Sequence, residues 1–402
     1  MMIAKIKPSI AKGIVKAPPS KSYAHRLLIA AALAGESFVH NVDLSKDIIA
    51  TFDSLRAGGF DLYFKNNSVF AGSNTTENKI AAFDARESGS TLRFLIPLMA
   101  SRFNETTFIG SDKLFSRGLS VYESIFKAQG IKTKLTNNVF SVKGRLHNGT
   151  FDVPGNISSQ YITGLLFTLP TLDGDSVIRV LGEVESEPYI NVTLDVLKQF
   201  GIVISKIGHS YYVKGNQKYK PQEVEVEGDY SNAAFLDAFN CLGGEVKVIG
   251  LNENSLQGDK VYKEYFKQIQ EGHPTIDISN CIDLGPILFT LASMFNGAIF
   301  TGTHRLRIKE SDRVNDLLDV LEQFGVSSKV EENRVEIYKS ELRPVNETIA
   351  LPNDHRIVMS IALLLSKLGG SVSGYDAVGK SFPRFFDVIK ELGIEVSYEN
   401  VK

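Results

Sequence analysis

A short stretch near the start of the sequence combines residue types that can bind an oxyanion. Two consecutive prolines are followed by Lys21, Ser22 and Arg26, and then by an apolar run that lasts until Gly35. Prolines and a serine before such a run, and a glycine after it, are signals for the start and end of a helix. The N–H groups of its first turn would then lie beside two cations and a hydroxyl, which is the chemistry that binds phosphate. A capped surface helix with solvated cations is the alternative explanation.

Cations also recur at or near the starts of other predicted apolar helices. A cation normally favours the C-terminal end of a helix, where the dipole is negative, so a cation at the N-terminal end needs an anion to offset it. If these helix starts meet on one face, the formal net charge of −2 conceals a strongly positive cleft. The alternative for each cation is a solvated surface charge. The cations in question are Lys21, Arg117, Arg313, Arg356 and Lys380.

Other segments add polar groups that fit an anion-binding site. Gly89, in ESGSTLRFL, would let the backbone approach an anion closely, although Ser-Gly-Ser is also ordinary loop chemistry. Asp283 and Glu310 offer acid–base groups in the C-terminal half. No P-loop, dinucleotide-binding glycine pattern or metal motif is present in the sequence. Uncharged donors that suit a polyol or a phosphate begin another apolar helix, although capping explains at least one serine: Ser158, Ser159 and Gln160.

The composition is that of an ordinary globular protein. The chain has 402 residues, of which 43% are hydrophobic and 22% charged, and this length suggests two or three domains. The nearly balanced charge does not favour nucleic acid as a partner. Cys241 and Cys281 are too few for a disulfide scaffold and lack metal-ligand spacing. The apolar runs are too short for a membrane span, and the first residues lack a signal-peptide core, so we expect a cytoplasmic protein.

A pattern of helix, glycine and β-hairpin recurs along the chain. Gly59, Gly130 and Gly201 lie 71 residues apart, and each follows a helical run and precedes two alternating runs with a turn between them. Such paired runs predict β-hairpins, and the glycine suits a left-handed helix cap. A further interval of the same length ends at Gly272, where no hairpin follows, and two more copies come after it. We therefore predict six copies of an α/β unit, with the hairpin of the fourth lost.

Six copies could form one solenoid or two domains of three copies each. A polar, proline-containing stretch at 218–235, which ends in a new helix start, favours two domains. We predict an N-terminal domain over 15–228 and a C-terminal domain over 1–14 together with 229–402. The opening strand would then pair within the C-terminal domain, and the two chain crossings would form a hinge suited to closure over a ligand.

Eight motifs, taken in order, resemble those of the enolpyruvyl transferases, and most closely the 5-enolpyruvylshikimate-3-phosphate (EPSP) synthase family. The resemblance covers essentially the whole chain. It implies an α/β fold of two domains, each an inside-out α/β barrel of three βαβαββ units, with helix N-termini facing the cleft between the domains. The motifs are PSKSYAHR, ESGSTLRFL, SSQYITGLL, SEPYINVTL, GDYSNAAF, RIKESDR, NDHR and GKSFPRFF.

The resemblance also implies an activity. The family transfers the enolpyruvyl group of phosphoenolpyruvate to the 5-hydroxyl of shikimate 3-phosphate and releases phosphate, through a tetrahedral adduct, in chorismate and aromatic amino-acid biosynthesis. It uses no cofactor, no metal and no covalent enzyme intermediate, and it is the target of glyphosate. The implied partners are these two small substrates, without nucleic acid or membrane, and we expect a monomer.

The resemblance assigns roles to individual residues. Asp283 would take the hydroxyl proton and Glu310 would protonate the methylene carbon, with Lys21 assisting, although the elimination step reverses these roles. Shikimate 3-phosphate would contact Lys21, Ser22, Arg26, Ser158, Ser159, Gln160, Ser186, Tyr189, Asp283 and Lys309. Phosphoenolpyruvate would contact Lys21, Gly89, Arg117, Gln160, Arg313, Arg356 and Lys380.

Two alternatives remain open at this point. The enolpyruvyl transferases that act on UDP-N-acetylglucosamine typically carry Lys-Asn where this chain has Lys21-Ser22, and a loop cysteine that this chain lacks before Cys241. A non-catalytic, polyanion-binding repeat protein, related by fold to RNA 3′-phosphate cyclases, would not need Asp283 and Glu310. The chain also departs from the EPSP synthase pattern, with Arg305 where many relatives have Asn.

Overall fold

The chain forms two compact units. A computed structural model describes residues 2–73 and 82–400. One unit, which we call the central unit, comprises Pro19–Glu227, and the other, the terminal unit, comprises Met1–Pro18 with Gly228–Lys402. The sequence-based prediction places the divisions a few residues away, after residues 14 and 228.

Strands and helices alternate along both units. The described strands are β1 (Met2–Ile6), β2 (Lys12–Lys16), β3 (Ser37–His40), β4 (Leu62–Lys65), β5 (Ser68–Ala71), β6 (Ala82–Asp84), β7 (Glu105–Ile109), β8 (Lys132–Thr136), β9 (Val139–Lys143), β10 (Thr150–Pro154), β11 (Ser176–Leu181), β12 (Ile204–Ile207), β13 (Ser210–Val213), β14 (Glu223–Glu225), β15 (Glu245–Ile249), β16 (Thr275–Asp277), β17 (Gly297–Thr301), β18 (Ser328–Val330), β19 (Arg334–Tyr338), β20 (Thr348–Ala350), β21 (Gly370–Ser373) and β22 (Val396–Asn400). The described α-helices are α1 (Lys21–Ala34), α2 (Lys46–Ala57), α3 (Gly89–Arg102), α4 (Asp112–Ser116), α5 (Ser120–Ala128), α6 (Ser159–Thr168), α7 (Glu187–Gln199), α8 (Tyr230–Asp237), α9 (Tyr262–Glu271), α10 (Gly285–Met294), α11 (Asn315–Gln323), α12 (His355–Leu368) and α13 (Phe385–Glu391).

Among the described strands, five sheets of four strands follow one plan. A parallel pair is extended by an antiparallel hairpin, as in the orders β6-β7-β9-β8, β10-β11-β13-β12 and β16-β17-β19-β18. The other two, β14-β3-β5-β4 and β20-β21-β1-β22, complete the plan with a strand from elsewhere in the chain. The sixth sheet has only the parallel strands β2 and β15. The prediction of six α/β copies, the fourth without its hairpin, is confirmed.

At each point where the chain passes from one unit to the other, the segment before the crossing forms a strand that completes a sheet. Strand β14 pairs with β3 inside the central unit, and β2 pairs with β15 inside the terminal unit. The opening strand β1 lies between β21 and β22 and pairs with both. Each unit therefore completes a sheet with a distant part of the chain.

The turns and helix ends follow from local sequence. Asn66-Asn67 and Asn137-Asn138 have positive φ angles of 48–61°, which suits the two-residue turn of a hairpin. The glycines after α2, α5, α7, α11 and α13 also have positive φ, as a left-handed cap requires. Gly272 is different, because its φ of −171° is extended and the chain passes directly from α9 into β16. The left-handed cap predicted at Gly59, Gly130 and Gly201 is therefore confirmed, and the fourth copy, which has no hairpin, lacks it.

Three helices of each unit are buried on nearly all sides. In the central unit these are α1, α3 and α6, and in the terminal unit α8, α10 and α12. They are apolar all round, as buried helices must be, and each unit has its own apolar core. Most of their polar residues lie in the first turns, and this places the candidate site at the helix N-termini.

Candidate functional site

In the central unit, the N-terminus of α1 carries a lysine that is already paired. Ser20 caps the helix by accepting a hydrogen bond from the N–H of Tyr23, and Lys21 is the first helical residue. The Nζ of Lys21 lies 2.8 Å from Oδ2 of Asp47 on α2, with the two side chains 16% and 10% exposed. Lys21 is therefore a half-buried cation held at the start of a helix by a neighbouring carboxylate. Asp47 is not among the site residues predicted from the sequence.

Arg26, one turn further along α1, is buried against neutral acceptors. Its Nε donates to Thr193 at 2.8 Å, and its terminal nitrogens donate to the carbonyl groups of Ser22 and Tyr189 at 2.8 and 3.1 Å. Among the described residues no carboxylate pairs with it, and desolvation lowers its pKa to about 10. A buried guanidinium without an anionic partner is a favourable binding group for a phosphate or a carboxylate.

The N-termini of α3 and α6 are joined through Gln160. Its Oε1 accepts a hydrogen bond from Nη1 of Arg93 at 2.9 Å, and its Nε2 donates to Ser90 at 3.1 Å. Nη2 of Arg93 also donates to the carbonyl groups of Arg117 and Gly118, both at 3.3 Å. Arg93 thus holds the side chain of Gln160 and also the turn at 117–118, which carries Arg117. Arg93 lies in the ESGSTLRFL motif, but no role is predicted for it from the sequence, because an arginine inside a buried helix is recognisable only once its neighbours are known.

Gly89 lies directly against the guanidinium of Arg117. A Cβ added at Gly89 would come within 2.9–3.1 Å of three guanidinium atoms. Arg117 follows the short helix α4 and precedes α5, so it lies near a helix start, as predicted. The two residues, 28 positions apart in sequence, therefore form one surface.

The remaining predicted residues of this unit also lie at helix starts. Ser158 caps α6 by accepting from the N–H of Gln160 at 3.3 Å, and Ser159 is the first residue of that helix. Ser186 caps α7 in the left-handed region, at φ 57°, which is strained for a residue with a side chain. Tyr189 belongs to the first turn of α7 and accepts from Arg26 through its carbonyl group.

A chain of buried hydroxyl groups connects these helix starts. Nδ1 of His25 lies 2.7 Å from the hydroxyl of Thr51, which is 2.7 Å from that of Thr91, which in turn donates to Ser88, the cap of α3. Burial lowers the pKa of His25, and nearby Lys21 lowers it further, so the imidazole is neutral. These bonds fix α1, α2 and α3 relative to one another inside the central unit.

In the terminal unit, Arg313 joins three carboxylates. Its side chain is 1% exposed. It donates from Nη1 to Asp283 at 2.8 Å, from Nη2 to Glu310 at 2.7 Å, and from Nε to Asp354 at 2.7 Å. These ion pairs raise the pKa of Arg313 well above its usual value. The two predicted acid–base residues therefore share one counter-ion.

Arg356 holds the other side of Asp283. It is the second residue of α12, and its Nη2 lies 3.1 Å from Oδ2 of Asp283, while Nη1 donates to Ser231 on α8 at 2.6 Å. Asp283 lies in a 3-10 turn just before α10. The contacts thus bring together the starts of α8, α10 and α12.

Lys309 approaches the same carboxylate. Its Nζ is 3.5 Å from Oδ1 of Asp283, and its side chain is 23% exposed. Desolvation lowers the pKa of Lys309 to about 8, although Asp283 raises it in part. The lysine therefore changes charge in the range of ordinary assays. Arg305, the residue that departs from the family pattern, is buried nearby and donates to the carbonyl of Ser279 at 2.6 Å.

Lys380 lies elsewhere in its segment than predicted. It ends a 3-10 helix over Tyr375–Lys380, and α13 begins only at Phe385. Pro383 lacks an N–H and disfavours helical geometry in the residue before it, which explains the late start. The Nζ of Lys380 is buried and donates to the carbonyl of Asn353 at 2.6 Å, immediately before the cap of α12. Lys380 thus lies beside the N-terminus of α12 and not at the start of α13, the helix that follows it in sequence.

Two absences concern the described parts of the chain. Over residues 2–73 and 82–400, no group of three or more His, Cys, Asp or Glu side chains could hold a metal ion. Within the same ranges, no helix is both long and apolar enough to cross a membrane.

Comparison with known proteins identifies the family. The model of the family described as EPSP synthase (3-phosphoshikimate 1-carboxyvinyltransferase) matches residues 6–389. The chain belongs to the EPSP synthase family. A 3-phosphoshikimate 1-carboxyvinyltransferase from Clostridium kluyveri is 39% identical over 98% of both chains. One from Clostridium perfringens is 39% identical over 96% of this chain and 97% of its own.

Solved structures agree on the fold. An EPSP synthase from Acinetobacter baumannii superposes with a TM-score of 0.77 over all of both chains, at 20% identity. The predicted family and the predicted two-domain α/β fold are therefore confirmed. The match gives no support to the two alternatives, the UDP-N-acetylglucosamine enzyme and the non-catalytic repeat protein.

Proposed function

We propose that this chain transfers the enolpyruvyl group of phosphoenolpyruvate to the 5-hydroxyl of shikimate 3-phosphate and releases phosphate. The observation that carries the proposal is the family match over residues 6–389, joined by relatives of that activity over nearly the whole chain. The site geometry fits it, because both substrates carry a phosphate and a carboxylate and both units contain buried cations. The step belongs to chorismate and aromatic amino-acid biosynthesis.

Shikimate 3-phosphate is assigned mainly to the central unit. Among the described residues Arg26 is buried against neutral partners, which suits a phosphate, and Ser22 lies beside it. The starts of α6 and α7 supply hydroxyl and amide donors from Ser158, Ser159, Gln160, Ser186 and Tyr189. Lys309 and Asp283 would meet the same substrate from the terminal unit.

Phosphoenolpyruvate is assigned to cations of both units. Lys21 would exchange Asp47 for the substrate anion, and Gly89 leaves room for Arg117 beside Gln160. The four buried cations of the terminal cluster, Arg305, Arg313, Arg356 and Lys380, exceed its three carboxylates, Asp283, Glu310 and Asp354, so an added anion is favoured there. The terminal residues assigned to this substrate are Arg313, Arg356 and Lys380.

The chemistry needs one proton acceptor and one proton donor. Asp283 lies within 3.5 Å of the cationic groups of Lys309, Arg313 and Arg356. These cations favour the ionised carboxylate, which is the form that can accept the 5-hydroxyl proton. The hydroxyl oxygen bonds to C2 of phosphoenolpyruvate while Glu310, assisted by Lys21, gives a proton to the methylene carbon. In the elimination, the new methyl group loses a proton and the C–O bond to phosphate breaks.

The direct test is phosphate release. Purified protein is incubated with phosphoenolpyruvate, with and without shikimate 3-phosphate, and inorganic phosphate is measured. We expect release only with both substrates. Release without shikimate 3-phosphate, or none from folded protein with both, would contradict the proposal.

The state of the protein is part of the same proposal. We propose a monomer in the cytoplasm, because every residue assigned to the two substrates belongs to one chain. Sedimentation velocity at assay concentration tests the monomeric state directly. A single species of twice the chain mass would contradict it.

A further inference from the structure

We infer that Asp354 is a positioning residue for the acid–base pair, acting through Arg313 rather than by touching substrate. The inference rests on the proposed function. Asp354 is absent from the residues that the family resemblance assigns to substrate, and its side chain is completely buried.

Within the described residues, the hydrogen bonds that the side-chain carboxylate of Asp354 accepts come from Ser311, Arg313 and Arg356. Oδ2 accepts from Nε of Arg313 at 2.7 Å and from the hydroxyl of Ser311 at 3.3 Å. Oδ1 accepts from Nη2 of Arg313 at 3.3 Å and from the backbone N–H of Arg356 at 2.9 Å. A carboxylate has about four lone-pair sites, so this group is saturated.

The bonds to Nε and Nη2 fix the plane of the Arg313 guanidinium. Because that group is rigid and planar, fixing one edge also directs its other N–H groups. One of these meets Asp283 at 2.8 Å and another meets Glu310 at 2.7 Å. Asp354 therefore sets the positions of the two carboxylates that exchange protons with substrate. It also caps α12, and so places Arg356 on the far side of Asp283.

Neutralising Asp354 would alter the charge around the pair as well as the geometry. The loss of one negative charge makes ionisation of Asp283 and Glu310 easier and protonation of Lys309 harder. Both limbs of the pH–rate profile would therefore move to lower pH. The charged and titratable groups that lie against Asp354 are Arg313, His355 and Arg356. The remaining charged groups of the terminal cluster are Asp283, Arg305, Lys309, Glu310 and Lys380.

The test uses Asp354→Asn and Asp354→Ser. Asn and Ser cap helices about as well as Asp, so both variants preserve the structural role at α12 while removing the charge that holds Arg313. We expect kcat to fall about 100-fold, as for a displaced catalytic group. The KM for shikimate 3-phosphate should change little, and the pH profile should shift to lower pH.

The matched control is Ile361→Val, which removes one buried methyl group from the same helix. It should lower the melting temperature and leave kcat and the pH profile unchanged. Folded Asn and Ser variants with wild-type kcat and pH profile would overturn the inference.

If neither variant folds, Ser311→Ala provides the test, because it removes one hydrogen-bond donor to Oδ2 of Asp354. A fall in kcat of about two- to fivefold would support the inference, and an unchanged kcat would overturn it. A wild-type protein inactive with both substrates would instead contradict the proposed function.

Discussion

Arg313 is the residue on which the proposed chemistry most depends. It is almost completely buried and pairs with Asp283, Glu310 and Asp354. Removing one partner of a buried ion pair leaves its remaining charges uncompensated, and this costs about 3–5 kcal/mol. Substitutions of Arg313 would therefore combine loss of fold and loss of activity, and the carboxylates are the better residues to test.

Asp283→Asn and Glu310→Gln should each lower kcat by about 10²- to 10⁴-fold, because each removes one general acid–base group. Binding of shikimate 3-phosphate, measured by calorimetry, should largely survive, since most of its assigned contacts lie in the central unit. Asp319→Asn, at an exposed position of α11, is the matched control and should turn over normally. Near-normal turnover by either site variant would remove that residue from the mechanism.

Lys309 gives the site a pH dependence of known sign. Its pKa is lowered to about 8, so its positive charge is lost as pH rises through that value. If Lys309 binds shikimate 3-phosphate as a cation, the KM for that substrate should rise between about pH 7 and 9. Lys309→Arg should abolish the rise, because arginine does not titrate in this range. A wild-type KM that stays constant over this interval would contradict the assignment.

The same shift affects stability in the opposite direction. The pKa of Lys309 is lower in the folded protein than in the unfolded chain, so the unfolded chain binds more protons between the two values. This group therefore disfavours folding below about pH 8, and that effect is lost as pH rises toward the unfolded pKa.

At the scale of elements, the fourth copy shows what the hairpin requires of the helix before it. Gly130 ends α5 at φ 72° and leads into the hairpin β8–β9, whereas Gly272 ends α9 in an extended conformation and leads directly into β16. A Cβ at either position would meet no atom within 4 Å. The two glycines therefore differ in backbone conformation and not in the space around them.

This difference predicts opposite results from the same substitution. Gly130→Ala should lower the free energy of unfolding by about 1–2 kcal/mol, the cost of left-handed geometry for a residue with a Cβ. Gly272→Ala should be neutral or stabilise by up to about 1 kcal/mol, because it only restricts the unfolded chain. Urea denaturation of both variants measures this. Equal destabilisation would show that the cap conformation is not the cause.

Local signals in the sequence predicted the elements well, and tertiary pairing was predicted less well. Ser20, Gly35 and the paired asparagines mark their helix and turns because they act within a few residues. The pairings of Lys21 with Asp47 and of Arg93 with Gln160 join residues 26 and 67 positions apart, so no local pattern reveals them. Asp354 was recognisable in the NDHR motif, but its role depends on Arg313, 41 positions away. The burial of Arg93 inside α3 also cannot be predicted from composition or local pattern.

At the scale of the whole molecule, the net charge of −2 conceals two clusters of buried cations. One lies at the helix starts of the central unit and the other at those of the terminal unit. The proposed reaction assigns groups from both units to each substrate, so neither cluster alone would complete it. Asp283 and Glu310 belong to the terminal unit, and Arg26 belongs to the central unit. We therefore expect variants of Asp283 and Glu310 to lower kcat, and variants of Arg26 to weaken the binding of shikimate 3-phosphate.

The most direct measurement follows the enolpyruvyl carbon atoms themselves. Phosphoenolpyruvate labelled with ¹³C is mixed with shikimate 3-phosphate and the purified chain, and ¹³C and ³¹P NMR spectra are recorded over time. We expect the label to move into an enolpyruvyl ether at the 5-position of shikimate 3-phosphate, with one inorganic phosphate released for each ether formed. Label that remains in phosphoenolpyruvate, or that is found in pyruvate as simple hydrolysis would give, contradicts it.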